Sequence, residues 1–314
     1  MATYLITGGC GFIGSHLSHK LLNKGENVRI IDNLSTGKIN NVSSSCEVIV
    51  GDINNRKILK EIMYDIDGCF HLAAIPPQDE DILVENDTSA CGLKNILYLA
   101  KKNNFREVIP VVYASSAIVY GDNANVQLDE KDEVRPTSSY SVDKICSELH
   151  ARVANIQYHI PVTGLRLFNV YGPGQNKHST YSKIISSMIE HLINDTPVQI
   201  QGDGQQPRDF IYIDDVVDIL IKAMKKTEKG NAIYNVCSGV ATSENQIFKI
   251  LSSISGKSLP IINNLKQTGN IVISTGNNNH FKKNIHSKPL IDITEGIKLT
   301  YQSYIQSQQH CFPL

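Results

Sequence analysis

The stretch Thr7-Gly8-Gly9-Cys10-Gly11-Phe12-Ile13-Gly14 decides the fold. Apolar, β-prone residues precede it from Tyr4, and a stretch of helical periodicity follows it at 15–22, so it joins a strand to a helix. Its glycines satisfy both a GxGxxG and a GxxGxxG spacing, which lets backbone approach a pyrophosphate at a helix N-terminus. Asp32 follows Gly14 by 18 residues at the end of the next predicted strand, where a carboxylate can bind a ribose hydroxyl. The pattern predicts a dinucleotide site.

Strands and helices alternate after this turn. This alternation implies right-handed βαβ units, so we predict an α/β fold with a doubly wound parallel sheet. Further helices are expected at 181–193 and 213–226, a Gly-rich loop at 202–209, and a loop in the Asn-, Lys- and Ser-rich stretch 263–288. The strands are predicted at 28–31, 46–50, 69–72, 108–113 and 162–168, and the helices between them at 56–63, 88–102 and 140–157.

Composition narrows the class of partner. The 314 residues carry 30 basic and 31 acidic side chains, so a net charge of −1 gives no reason to expect nucleic acid or a membrane surface. No apolar run approaches the 18 residues of a membrane span. The seven cysteines lie at least 22 residues apart without a CxxC pair, which argues against a metal site. We expect a cytoplasmic protein with reduced thiols that acts on a small molecule.

Two tyrosines precede a lysine by four residues, which places the phenol and the ammonium on one helix face. These pairs are Tyr140 with Lys144 and Tyr98 with Lys102. Only the first has a partner, because Ser116 lies 24 residues upstream of Tyr140, just past the predicted end of a parallel strand. A lysine can help a phenol, whose ordinary pKa is about 10, to act as a base near neutrality. The Tyr140 pair is therefore the candidate for catalysis.

Six motifs follow one another along the chain: the glycine turn, Asp32 to Gly37, Gly51-Asp52, His71 to Ala74, Ser115 to Gly121 and Tyr140 to Lys144. Together they resemble the extended short-chain dehydrogenase/reductase superfamily and, within it, the NAD-dependent nucleotide-sugar epimerases. The resemblance covers roughly residues 3 to 240 and implies a Rossmann-type fold with a smaller C-terminal α/β substrate-binding region. It implies an NAD-binding domain at 1–170, to which 210–240 return, and a nucleotide-sugar-binding region at 171–209 and 241–314.

The resemblance implies roles for individual residues. Tyr140 is the implied acid and base, Lys144 the residue that holds the nicotinamide ribose, and Ser116 the residue that binds the reacting hydroxyl. The cofactor is NAD, because Asp32 would repel the 2′-phosphate of NADP. The implied cofactor contacts are Gly8, Gly11, Phe12, Ile13, Gly14, Asp32, Asn33, Asp52, Ile53, Ala73, Ala74, Tyr140 and Lys144, and the implied substrate contacts are Ser115, Ser116, Asn169, Arg208 and Ser274.

The implied reaction is epimerisation at C4 of a UDP-hexose or UDP-N-acetylhexosamine through a transient 4-keto sugar. Ala117 argues against a 4,6-dehydratase, because elimination needs an extra acid and base at this position. Decarboxylases and reductases of related sugars stay open, as does a non-catalytic NAD-binding scaffold. The segments 75–80 and 263–280 depart from the family pattern. A homodimer through the helices at 88–102 and 140–157 is also implied.

Overall fold

The computed structural model describes residues 1–74, 88–102, 107–123, 125, 127–175, 184–227, 230–264, 275–286, 289 and 291–309. The predicted loop at 75–80 and the candidate substrate residue Ser274 lie outside these ranges. No helix within them is long and apolar enough to cross a membrane.

Secondary structure follows the expected alternation over the first half of the chain. The strands are β1 (Thr3–Thr7), β2 (Asn27–Asp32), β3 (Glu47–Val50), β4 (Gly68–His71), β5 (Val111–Ser116), β6 (Val162–Leu167), β7 (Asn169–Tyr171), β8 (Val198–Gln201), β9 (Pro207–Tyr212), β10 (Asn231–Val236), β11 (Ala241–Ser243) and β12 (Ile261–Asn264). The helices are α1 (Phe12–Asn23), α2 (Arg56–Ile62), α3 (Thr88–Ala100), α4 (Ser139–Tyr158), α5 (Ile184–Ile193), α6 (Ile213–Lys226), α7 (Glu244–Ser255), α8 (Asn279–Ile285) and α9 (Ile293–Gln309), with 3₁₀ turns at Ile39–Asn41 and Ala117–Tyr120.

The main sheet has seven strands in the order β10-β6-β5-β4-β1-β2-β3, and each neighbouring pair is parallel. The chain starts in the middle at β1, moves outward to β3, and then crosses back to β4. Buried side chains of α1 and α6 pack in one core and those of α2, α3 and α4 in another, so helices cover both faces. The prediction of a doubly wound parallel sheet is confirmed. In such sheets ligands bind at the C-terminal strand ends, near the point where strand order reverses.

The seventh strand comes from beyond the first half of the chain. After β6 the chain forms β7, β8 and β9, and then returns as β10, which pairs with β6 from Asn231 opposite Val162. The intervening strands belong to two smaller sheets, β11-β9-β7 and β12-β8. The division into an NAD-binding domain and a substrate-binding region stays a prediction.

Three sequence-based boundaries were wrong. The predicted strand 108–113 runs instead from Val111 to Ser116, because Pro110 has no N–H to donate to a neighbouring strand. The end of the predicted loop 202–209 is the start of β9, which pairs with β7 and β11. The predicted loop 263–288 contains α8, whose Phe281 and Ile285 lie one turn apart and are buried in the main core. The polar composition around these two residues concealed the helix.

Candidate active site

The glycine turn between β1 and α1 leaves no space for a side chain at Gly8 or Gly14. Gly8 has a φ of +69°, and a Cβ there would lie 2.8 Å from the backbone of Ala73 at the end of β4. A Cβ on Gly14 would collide with the carbonyl oxygen of Gly8. Gly11 precedes α1, where no side chain caps the helix, so the N–H groups of Phe12 and Ile13 can face an anion.

Asp32 at the end of β2 holds the glycine turn in place. It is buried, and its Oδ2 accepts a hydrogen bond from the N–H of Cys10 at 2.9 Å. Its Oδ1 accepts one from the N–H of Leu34 at 2.8 Å, while the neighbouring Asn33 is exposed. Each carboxylate oxygen has a second lone pair, so Asp32 can still accept hydrogen bonds from ribose hydroxyls.

The remaining predicted cofactor residues follow β3 and β4. Asp52 is exposed directly after β3, and the side chain of Ile53 beside it is buried. Ala73 and Ala74 are half-buried after β4, and the N–H of Ala73 donates to Oγ1 of Thr7 at 3.2 Å. The parallel sheet therefore brings the predicted cofactor residues from four adjacent strands to one edge. This edge has the phosphate cradle and the ribose acceptor that a dinucleotide requires.

Tyr140 and Lys144 lie on the first turns of α4, which begins with a capping box between Ser138 and Ser141. The Nζ of Lys144 donates to the carbonyl oxygen of Ala114 at 3.0 Å and lies 5.4 Å from the ring centroid of Tyr140. Lys144 is only 3% exposed, and this burial lowers the pKa of its ammonium to about 8. One of its three donors reaches Ala114, so the others can serve a ligand.

The two adjacent serines at the end of β5 face different surroundings. The hydroxyl of Ser115 donates to Oε1 of Glu148 at 2.6 Å, and this serine is 2% exposed. Ser116 is the last residue of β5 and is half-buried, and its Oγ accepts from the N–H of Ile118 at 3.3 Å. That bond leaves the hydroxyl hydrogen of Ser116 as a donor. This placement does not support the predicted substrate contact of Ser115, whereas Ser116 lies at the ligand edge of the sheet.

The predicted diphosphate residues meet on β7 and β9. Arg208 is half-buried, its buried Nε has no hydrogen-bond partner among the described residues, and burial lowers its pKa although Glu244 opposes the change. Asn169, paired with Phe210 across the sheet, donates through Nδ2 to the carbonyl oxygen of Asp209 at 2.8 Å. An unsatisfied buried guanidinium nitrogen indicates a site for an anionic ligand.

The carboxylate of Asp209, which follows Arg208 on β9, is bound by loop residues and not by Arg208. Its Oδ1 accepts from the N–H and the hydroxyl of Ser238, both at 2.7 Å, and its Oδ2 from Gly239 at 2.9 Å and Gly276 at 3.2 Å. Burial raises the pKa of this carboxyl group to about 6, although the four hydrogen bonds act against the increase. Asp209 thus connects β9 to two loops that follow it in the chain.

The competing tyrosine lies on the surface. Tyr98 on α3 is 52% exposed, and the side chains of Arg56 and Lys101 lie over its ring. Tyr98 therefore belongs to the exposed surface of α3. Within the part of the chain that the structure describes, no group of three or more His, Cys, Asp and Glu residues is arranged to hold a metal ion.

A buried ion pair behind the end of β5 was not predicted from the sequence. Glu148 on α4 contacts Arg166 on β6, and the two side chains are 8% and 5% exposed. Two signals were available in the sequence. Glu148 continues the spacing of Tyr140 and Lys144 by one more turn, and an arginine within an apolar parallel strand needs a buried partner.

Known proteins are similar to this chain in both sequence and fold. A provisionally named UDP-glucose 4-epimerase of Methanocaldococcus jannaschii is 32% identical, over 94% of this chain and 95% of its own length. The crystal structure of UDP-glucose 4-epimerase with UDP-glucose from Thermotoga maritima has a TM-score of 0.91 and 29% identity, covering 98% and 99% of the two chains. UDP-N-acetylglucosamine 4-epimerase from Methanobrevibacter ruminantium, in complex with UDP-N-acetylmuramic acid, has a TM-score of 0.90 and 30% identity with the same coverage.

The family match covers most of the chain and all of the site's cofactor edge. A sequence profile described as the NAD dependent epimerase/dehydratase family matches residues 4–237, which include the glycine turn, Tyr140 and Lys144. This agrees with the order of the strands and with the dinucleotide cradle at their C-terminal ends. The chain belongs to the NAD dependent epimerase/dehydratase family.

Proposed function

We propose that the protein is an NAD-dependent isomerase that inverts C4 of a UDP-hexose or UDP-N-acetylhexosamine through a transient 4-keto sugar. The observation that carries this proposal is the convergence of Tyr140, Lys144 and Ser116 beside the dinucleotide cradle. Lys144 lies 5.4 Å from the ring of Tyr140 and is bound to the strand that ends at Ser116. The two similar structures are named as C4 epimerases of UDP-glucose and UDP-N-acetylglucosamine, which favours these two sugars.

Each residue of the site has its own role in the transfer of one proton. Tyr140 removes the proton of the sugar 4-hydroxyl. It returns the proton after the keto sugar has rotated and presents its other face. Ser116 donates a hydrogen bond to the oxygen of the same hydroxyl, and the ammonium of Lys144 stabilises the phenolate of Tyr140. When bound, NAD supplies the acceptor and later the donor of the hydride that leaves and rejoins C4.

Arg208 supports a diphosphate substrate on the other side of the site. Its buried Nε lacks a partner among the described residues, and a guanidinium group suits the paired oxygens of a phosphate. Asn169 is placed on the neighbouring strand and is proposed to contact the same diphosphate. Recognition by Ser274 stays a prediction, since this residue lies outside the described ranges.

Product analysis tests the proposed reaction. The protein with NAD is incubated with UDP-glucose, UDP-N-acetylglucosamine, UDP-glucuronate, dTDP-glucose and GDP-mannose, and the C4 epimers are resolved by NMR. We expect inversion of a UDP-sugar, and a fall of about 10³-fold in kcat for Tyr140→Phe, because general acid–base catalysis is removed. Inversion of none of these sugars contradicts the proposal, and carbon dioxide release from UDP-glucuronate identifies a decarboxylase instead.

Tyr98→Phe is the matched control for Tyr140→Phe. It removes the same hydroxyl from the other tyrosine that precedes a lysine by four residues, at an exposed position of α3. We expect this variant to retain the parental kcat. An equal loss of activity in both variants would contradict the assignment of Tyr140 as the acid and base.

We also propose a homodimer in which α3 and α4 pack against their copies. Four apolar residues form one stripe along α4, spaced for a single helix face, and each is between 47% and 61% exposed. Tyr98 on α3, which packs beside α4, adds a further exposed aromatic surface. Two such helix pairs related by a two-fold axis would form a four-helix bundle. The stripe consists of Val142, Leu149, Val153 and Ile156.

Sedimentation velocity tests the proposed dimer. We expect a dimer for the parent protein and a monomer when Leu149 and Ile156 are both replaced by aspartate, because buried charges oppose association. Tyr64→Asp, at a position that is 73% exposed after α2, is the control and should leave the dimer intact. A monomeric parent protein contradicts the proposal. The cytoplasmic location predicted from the dispersed cysteines stays a prediction.

A further inference from the structure

One polar face of α4 carries three residues on successive helical turns, and two of them contact the end of β5. Tyr140, Lys144 and Glu148 are spaced by four residues, so they lie on the same face. Lys144 donates to the carbonyl oxygen of Ala114, and Glu148 accepts from the hydroxyl of Ser115 at 2.6 Å. Two adjacent residues of β5, directly before Ser116, therefore form hydrogen bonds with two adjacent turns of α4.

Glu148 is held by a two-point contact from the neighbouring strand. The Nε of Arg166 donates to Oε1 of Glu148 at 2.9 Å, and its Nη2 donates to Oε2 at 2.7 Å. Arg166 lies opposite Ser115 in the pairing of β5 with β6. Two parallel hydrogen bonds fix the orientation of a carboxylate as well as its distance. The contact therefore restrains the rotation of α4 relative to β5.

Arg166 is itself restrained on its other side. Its guanidinium carbon lies 4.8 Å from the ring centroid of Tyr120, and its Nη1 donates to the carbonyl oxygen of Glu130 at 3.4 Å. The hydroxyl of Tyr120 donates to Oδ1 of Asn235 on β10 at 2.7 Å. The ion pair is thus fixed relative to β5, β6 and β10, and it has little freedom to follow a movement of α4.

A buried ion pair gives little reason to expect a gain in stability. Removing two charges from water is costly, and well-packed apolar residues often replace such pairs without loss of stability. Glu148 lies one turn from Lys144 and two turns from Tyr140, at the junction that sets how these side chains approach Ser116. Geometry at this junction affects catalysis strongly, because a displacement of about 1 Å can lower a rate about 100-fold.

We propose that Glu148 and Arg166 are positioning residues, which hold Tyr140 and Lys144 in register with Ser116 through the contact between α4 and β5. They act through these three residues and do not touch the substrate. The proposal deepens the proposed function and rests on it for the catalytic readout.

A variant without the ion pair separates positioning from folding. Glu148→Leu and Arg166→Met are combined with Ser115→Ala, so that neither a charge nor the hydroxyl of Ser115 stays buried without its partner. We expect the unfolding midpoint in urea to stay near that of the parent protein. We expect kcat to fall about 100-fold with KM nearly unchanged, because Tyr140 and Lys144 would be displaced from the positions that the transition state requires. NAD affinity should fall about tenfold as Lys144 loses its fixed position.

Two controls accompany this variant. Ser115→Ala alone measures how much of the change in kcat and NAD affinity comes from the missing hydroxyl. Arg29→Met with Glu47→Leu removes the ion pair of 2.6 Å between β2 and β3 of the same sheet, away from α4, together with the 2.8 Å contact of Arg29 with Asp65, and should leave kcat and NAD affinity unchanged. A folded triple variant with parental kcat and parental NAD affinity would overturn the proposal.

If the triple variant does not fold, the Arg166→Lys variant tests the proposal instead. It keeps the buried positive charge but loses the two-point contact, so we expect a folded protein with the same direction of change in kcat and NAD affinity. Parental values of both quantities in this variant would also overturn the proposal. Calorimetric NAD affinity does not require turnover. A parent protein that binds NAD but inverts no sugar would therefore reject the proposed function, while the positioning role of the pair is still tested.

Discussion

Replacing Lys144 by methionine should stabilise the fold and abolish activity at the same time. Lys144 is 3% exposed, and burial lowers the pKa of its ammonium from 10.5 to about 8. Each pKa unit corresponds to about 1.4 kcal/mol, so the buried charge costs about 3 kcal/mol below pH 8. Methionine removes this cost but also removes the hydrogen bond to Ala114, which contributes about 1–2 kcal/mol. The net gain in the free energy of unfolding should be about 2 kcal/mol.

The pH dependence of this gain has a defined sign. The pKa of Lys144 is lower in the folded protein, so between about pH 8 and 10.5 the unfolded chain binds the additional proton. The parent protein therefore gains stability relative to Lys144→Met as pH rises through this window. The advantage of the variant should be largest near pH 7 and should disappear at about pH 9.5, above which the hydrogen bond to Ala114 makes the parent protein the more stable one.

Urea unfolding of both proteins without NAD, at pH 7, 8.5 and 10, measures this difference. NAD is omitted because its binding would stabilise the parent protein selectively. Lys102→Met is the matched control, since Lys102 is 65% exposed and its ion pair with Glu107 contributes little. A Lys144→Met variant that is less stable than the parent at pH 7, or a difference that does not change with pH, would refute the reasoning.

Three further predictions concern the ligands. Gly14→Ala should abolish NAD binding in calorimetry, because its Cβ collides with a carbonyl oxygen of the turn. Gly25→Ala places a Cβ at a φ of +79°, where alanine is strained, but meets no atom within 4 Å and lies outside the turn, so it should keep binding. Arg208→Lys should weaken UDP binding about tenfold without changing NAD affinity, since lysine cannot make a two-point phosphate contact; equal UDP affinity would contradict this role. Ser116→Ala should lower kcat by about 10²-fold, and Ser115→Ala should lower it much less; the reverse order would exchange their roles.

The cofactor edge could be predicted from sequence because its signals are local. The glycine turn, Asp32 and the Tyr140 to Lys144 pair each consist of residues close together in the chain, placed at a strand end or on one helix face. Parallel pairing then brings these strand ends to a common edge, so the position of each motif relative to its strand is sufficient. For the same reason the presence of the first six strands and their parallel pairing could be predicted from their alternation with helices.

Contacts between distant segments could not be predicted in this way. The orientations of Ser115 and Ser116 depend on where β5 ends, and the apolar residues before Pro110 shifted the predicted strand by three positions. The partner of Arg166 lies 18 residues earlier on a helix that packs behind the sheet. In the last quarter of the chain, buried Phe281 and Ile285 were too few among polar residues to indicate α8.

The hydrogen bonds of Asp209 limit how this protein can be recombined with its relatives. This buried carboxylate accepts hydrogen bonds from Ser238 and Gly239 after β10, and another from Gly276, which lies shortly before α8. A chimera that takes either loop from another epimerase without matching backbone geometry would leave the carboxylate without part of its donors, at a cost of a few kcal/mol. Attempts to transfer sugar selectivity by loop exchange should therefore move β9, the 238–239 turn and the segment at 276 as one set.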